Sequence, residues 1–144
     1  MGVSEPFITS KTLSLVYRIP ISRIEKFWES LKEGRVLATR CKNCQTLRFP
    51  PSATCPSCFS PDVEWVELSG EGVVETYTKI MAAPASFSGE APYTVVVARM
   101  KEGVKVLAWY EGENISIGMK VRLLAKEEHG SLTYRFVPWD EQGD

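Results

Sequence analysis

The sequence predicts a mainly β protein: a short N-terminal helix and a metal-held ribbon, followed by a small closed antiparallel barrel. Three observations predict it. All four cysteines fall in two Cys-x-x-Cys pairs, Cys41-Lys42-Asn43-Cys44 and Cys55-Pro56-Ser57-Cys58. One stretch, residues 24–31, repeats apolar residues at helical spacing. From residue 73 onward, apolar residues recur in five short runs between glycine-marked turns, with no helical period.

The helix comes first. Ile24, Phe27, Trp28 and Leu31 recur at i, i+3, i+4 and i+7, the apolar stripe of a helix packed on one side. Ser22-Arg23-Ile24-Glu25 has the form of a capping box, which predicts Ser22 as the N-cap. Gly34 follows where a left-handed C-terminal residue belongs. Three turns cannot bury Phe27 and Trp28 unaided, so the two rings pack on the protein's own core or form a partner-binding face. Upstream, Thr12-Leu13-Ser14-Leu15-Val16-Tyr17 alternates as a short strand or arm does.

The ribbon is built on the cysteines. Each Cys-x-x-Cys places two thiols at a tight turn, and two such knuckles brought face to face close a tetrahedron around one ion. The expected ligands are Cys41, Cys44, Cys55 and Cys58. Four soft thiolates favour zinc, ahead of a lone iron or an iron–sulfur centre. Two disulfides would suit a small secreted chain. The N-terminus lacks the basic and apolar segments of a signal peptide, so the expectation is a cytoplasmic protein with metal-bound thiols. Arg35–Arg40 reads as a strand entering the first knuckle, and Thr46–Phe49 with Pro50-Pro51 as a hairpin between the two. Val63–Leu68 reads as a third strand, with Val63, Trp65 and Glu67 on one face.

Ser69-Gly70-Glu71-Gly72 is a turn and a candidate boundary. The expected division is an arm and helix over 1–34, a ribbon over 35–68 and a barrel over 69–144. Within the last, Val73–Ile80, Tyr93–Met100, Val104–Tyr110, Met119–Lys126 and Leu132–Val137 read as strands. Five short strands closed into a barrel are the architecture of an OB-fold. The third-to-fourth connection, Glu111–Gly118, is too short for the helix that many OB-folds carry there. The first-to-second loop, residues 81–92, is long, small-residued and centred on Phe87, a pattern often tied to function.

Composition narrows the chemistry. The chain has 144 residues and a net charge of −1, which argues against strong general binding to nucleic acid. Residues 1–62 hold nine Lys/Arg against five acids, and the rest eight against thirteen, so the halves carry +4 and −5. A front half of that sign can meet an anionic partner. No apolar run approaches the ~18 residues of a membrane span. A shell of four thiolates leaves no position for water or substrate, so such a metal is structural. The single histidine, His129, sits in an acidic turn, and no glycine-rich phosphate loop or nucleophile elbow is present. These features describe a binding or scaffolding module rather than an enzyme. The alternative is a single-stranded nucleic-acid module, since ribbons and OB-folds both serve that role; the acidic barrel half counts against it.

The order of motifs is itself specific. Phe27-Trp28 leads to Cys-x-x-Cys, then Phe49-Pro50-Pro51, Cys-Pro-x-Cys and Trp65–Val74. Tyr77-Thr78, Pro92-Tyr93 and Ile117-Gly118-Met119-Lys120-Val121 follow. Over residues 20–138 this resembles the zinc-ribbon plus OB-fold family long known as a domain of unknown function in archaea and bacteria. The resemblance implies a rubredoxin-like ribbon with a structural zinc. It also implies a non-catalytic subunit that helps hold coenzyme A or acyl-CoA and partners thiolases and hydroxymethylglutaryl-CoA synthase-like enzymes. Family members usually carry Gly after each knuckle's second cysteine, where the turn favours positive φ; here those positions are Gln45 and Phe59. Phosphate groups of such a ligand would suit Arg40, Lys42 and Arg48 on the ribbon. Phe49, Tyr77 and Tyr93 are the aromatic candidates beside them.

Overall fold

The computed structural model describes residues 6–12, 16, 18, 20–83, 85, 89–128 and 130–139. Leu13, Ser14, Leu15 and Tyr17 of the expected arm, Phe87 of the long loop and His129 lie outside the described residues.

One helix and eight strands follow in order among the described residues. They are α1 (Glu25–Lys32), β1 (Leu37–Cys41), β2 (Leu47–Arg48), β3 (Val63–Glu67), β4 (Glu71–Ile80), β5 (Tyr93–Met100), β6 (Lys105–Tyr110), β7 (Lys120–Glu128) and β8 (Ser131–Pro138). The helix ends as its sequence dictates. Gly34 takes φ +84°, its amide bonds to the Leu31 carbonyl at 3.1 Å, and the Arg35 amide reaches the Ser30 carbonyl at 2.8 Å. This paired closure is the Schellman motif. Its start departs from expectation. The N-cap is Ile24, with no side-chain cap, and residues 22–24 form a turn instead. Backbone bonds, Ile24 N–H to the Ile21 carbonyl at 2.9 Å and Phe27 N–H to the Ile24 carbonyl at 3.0 Å, do the work assigned to Ser22.

The ribbon is a three-stranded antiparallel sheet in the order β2-β1-β3. Thr39 pairs with Arg48 on one side and Trp65 on the other. The barrel runs β4-β5-β6-β8-β7 and closes where Glu71, Gly72 and Val73 of β4 pair with Arg122, Val121 and Lys120 of β7. One pairing in it is parallel, β6 with β8, through Trp109↔Arg135 and Tyr110↔Phe136. Closure removes the free edges that an open sheet would expose. This is the mainly β, ribbon-then-OB architecture that the sequence predicts.

Alternation decides which residues fill the barrel. Val74, Val96, Ala98, Met100, Val106, Val121, Leu123 and Phe136 are all nearly solvent-free. The same core cluster continues into Phe27 and Leu31 of α1 and Val36, Leu37 and Ala38 of the ribbon. The helix therefore packs its apolar stripe on the protein's own core. Phe27 stands at the meeting point: its ring lies 6.1 Å from Phe49 of the ribbon and 6.2 Å from Tyr134 of β8, and Phe49 lies 5.3 Å from Tyr134. These edge-to-face contacts are the favourable geometry for aromatic rings.

Candidate functional site: the four-cysteine centre and the barrel cleft

The two knuckles are built alike. In the first, the Gln45 amide bonds to the Cys41 carbonyl (2.9 Å) and the Cys41 amide to the Thr46 carbonyl (3.0 Å). In the second, the Phe59 amide bonds to the Cys55 carbonyl (2.8 Å) and the Cys55 amide to the Ser60 carbonyl (2.9 Å). Both turns force a left-handed residue after the second cysteine: Gln45 at φ +65° and Phe59 at φ +63°. A side chain there meets its own carbonyl, at a cost of about 1–2 kcal/mol that glycine avoids. Gln45 recovers part of that cost, since its Nε2 donates to the Lys42 carbonyl at 3.0 Å.

The sulfurs converge. All four lie within 4.8 Å of one another, with Cys41–Cys58 and Cys44–Cys55 each 3.5 Å apart. A zinc–sulfur bond of about 2.3 Å places the corners of a tetrahedron ~3.8 Å apart, so the separations fit one ion. Donors already point at the sulfurs. The Cys44 amide lies 3.4 Å from Cys41 Sγ, Asn43 Nδ2 lies 3.5 Å from Cys58 Sγ, and Thr46 Oγ1 lies 3.1 Å from Cys44 Sγ. The Thr46 hydroxyl helps draw the Cys44 thiol down to about 6, and the Asn43 amide lowers Cys58. Cys41, although its sulfur accepts the Cys44 amide, is pushed up to about 11 by burial and by sharing with its neighbours. Four thiolates this close repel one another, and a divalent cation among them relieves that repulsion. The donor set fits a metal and leaves no fifth position.

The other expected site residues spread over the molecule. Arg40 sits half-buried on β1, between Leu47 and Glu64. Lys42 is exposed and pairs with Asp62 at 3.7 Å. Arg48 is exposed on β2. Phe49 belongs to the aromatic junction with Phe27 and Tyr134. Tyr77 is exposed on β4, and Tyr93 stacks on Trp109 with ring centres 4.1 Å apart.

Two cavities open on the barrel. One, about 580 Å³, is lined by Trp28, Trp109, Leu132, Tyr134 and Arg135 among others. The second, about 600 Å³, includes Lys79, Tyr93, Trp109 and Arg135. Of the six ligand candidates, Tyr93 alone lines either one. The first lies where β6 and β8 part company. Lys105–Ala108 pair with β5 and Ser131–Tyr134 with β7, and the two strands meet each other at Trp109 and Arg135. The Arg135 guanidinium lies 4.9 Å over the Trp109 ring and pairs with Glu111 at 3.4 Å. Trp28 contributes an indole N–H that is buried with no acceptor among the described residues. Trp28, offered by the sequence for the core or a partner face, and Trp109 and Arg135 are not among the six ligand candidates; alternation places a strand residue on a face but does not say which strands are neighbours.

Comparison with known proteins agrees with this architecture. Residues 28–64 match the family described as the ChsH2 rubredoxin-like zinc ribbon domain, and residues 65–126 the ChsH2 C-terminal OB-fold domain. A "DUF35 domain-containing scaffold protein" of Methanocaldococcus jannaschii is 31% identical over 86% of this chain and 95% of its own length. A "Probable enoyl-CoA hydratase alpha subunit" of Thermomonospora curvata is 36% identical over 85% of this chain, which spans 40% of that relative. The "Benzoylsuccinyl-CoA thiolase subunit BbsA" of Thauera aromatica is 32% identical over 51% of this chain and 49% of its own length. Among solved structures, the "Ltp2-ChsH2(DUF35) aldolase" superposes with a TM-score of 0.68 at 33% identity, covering 79% of this chain and 92% of that one. The chain belongs to the DUF35 family, whose members join a zinc ribbon to an OB-fold.

Proposed function

We propose that this protein is a non-catalytic subunit that partners a thiolase-like enzyme, with a structural zinc holding its ribbon. The closed shell of four sulfurs carries this reading, because it supplies folding energy and offers no place for a reaction. The names of its relatives support it: they are scaffold proteins, or subunits of enzymes that act on CoA esters. A hydroxymethylglutaryl-CoA synthase-like enzyme is the second partner in the same reading. The setting is cytoplasmic, and the described residues hold no helix long and apolar enough to cross a membrane. The chain divides into arm and helix (1–34), ribbon (35–68) and barrel (69–144).

Acyl-CoA is the ligand we assign. Its phosphates would lie against Arg40, Lys42 and Arg48, next to Phe49, and its remaining length along the barrel past Tyr77 and Tyr93. The cavity lined by Trp28, Leu107, Trp109, Leu132 and Tyr134 provides apolar space for that length, and the neighbouring one beside Tyr93 is more polar, with Lys79, Glu90 and Glu113 on its walls. Titration calorimetry with acyl-CoA, with and without the thiolase-like subunit, tests the assignment. Saturable heat with the complex is expected; none in either arrangement removes the ligand, while failure of the two proteins to co-elute removes the subunit role.

A further inference from the structure

The second knuckle carries a feature that zinc binding does not explain. Phe59 is 76% exposed at φ +63°. It belongs neither to the core cluster nor to any aromatic pair among the described residues. Two unfavourable choices coincide there, a large ring in water and a side chain in a backbone conformation made for glycine. The matching residue of the first knuckle shows the contrast: Gln45 is polar, suited to exposure, and bonds back to its own turn. A strained residue left uncompensated by its own fold points to a role outside it.

We propose that Phe59 is the anchor by which the ribbon seats in an apolar pocket on the thiolase-like subunit. The inference rests on the subunit role proposed above and names its contact surface. The chemistry of the tip selects a protein partner. Residues 55–62 contain no Lys or Arg and one acid, Asp62, which is already paired with Lys42. Stacking on nucleic acid or resting on an anionic membrane needs cations beside the ring. Instead, exposed Pro56 and Pro61 flank Phe59 with rigid, uncharged surface. A short turn fixed at both ends by its cysteines loses little freedom on docking, which favours a single aromatic residue as a hot spot.

The test immobilises the thiolase-like subunit of the same source and measures binding of the full zinc-loaded chain. Four forms are compared: wild type, Phe59→Gly, Phe59→Leu and Gln45→Gly. Phe59→Gly should weaken binding at least about tenfold, while keeping one zinc per chain and a thermal midpoint no lower than wild type. Phe59→Leu should retain part of the affinity, and Gln45→Gly should bind within about twofold of wild type, the size of a surface change away from a contact. Unchanged affinity in Phe59→Gly overturns the anchor and leaves the subunit role standing. Loss of zinc or a lower midpoint in Phe59→Gly also overturns it, since the ring would then serve the ribbon itself. If wild type does not bind the subunit at all, the subunit role fails and the anchor fails with it.

Discussion

Glu102 sits in the turn between β5 and β6, and one of its carboxylate oxygens accepts the Ser69 amide at 2.9 Å. Ser69 lies in the link between ribbon and barrel, so one side chain ties the link to a turn 33 positions further along. The second oxygen is buried with no partner among the described residues. A buried polar atom left unpaired is costly, so this carboxylate position is maintained by the bond its other oxygen makes. Glu102→Ala should lower unfolding free energy by about 1 kcal/mol, the net size of one such bond. Glu102→Gln should lose less, because its amide carbonyl can still accept from Ser69. Chemical denaturation of the three zinc-loaded forms checks this. If Gln is as damaging as Ala, the Ser69 bond is not what Glu102 contributes.

At the scale of elements, the helix matters through a single ring. Phe27 is 3% exposed and touches Trp28, Phe49 and Tyr134, so it joins α1, the ribbon and β8. Phe27→Ala removes contacts to all three and should destabilise by about 3–5 kcal/mol. Pairing it with Tyr134→Ala should cost less than the two single changes summed, because both delete the same contact; an additive result would show that the rings do not act as a unit. This junction was not legible in the sequence. Phe27, Phe49 and Tyr134 each stand in a recognisable local pattern, yet nothing local states that residues so far apart in the chain converge. The same limit hid the parallel pairing of Trp109 with Arg135 and the cleft beside it. What was legible is local by nature. The spacing of the cysteines specifies their convergence, alternation specifies the barrel strands to within a few residues, and Gly34 specifies the helix end. Ser22 misled because a serine three residues before a glutamate permits a capping box without requiring one, and the Ile21 carbonyl supplies the turn's bond instead.

For the whole molecule, the open question is whether ribbon and barrel stand or fall together. Val36, Leu37 and Ala38 of the ribbon share one core cluster with the barrel residues, which argues for joint unfolding. Energetics argue otherwise. Structural zinc supplies roughly 10–16 kcal/mol in small finger peptides, as much as the whole net stability of a typical domain, about 5–15 kcal/mol. The ribbon sheet has one short strand, β2, and two of five residues, too little to hold without its ion. The barrel keeps a closed ladder and its own interior from Val74 to Phe136. Chelation should therefore melt the ribbon first. Amide exchange should speed across β1 and β3 while β5 and β6 stay protected, and the thermal midpoint should fall until zinc is restored. Lowering the pH should act in the same direction, because thiolates must lose their protons to bind metal and regain them in acid. Unchanged protection in β1 and β3 after the metal is gone would mean that packing against the barrel, not the ion, holds the ribbon. Simultaneous loss of protection in β5 and β6 would mean that the shared core makes the two halves a single cooperative unit.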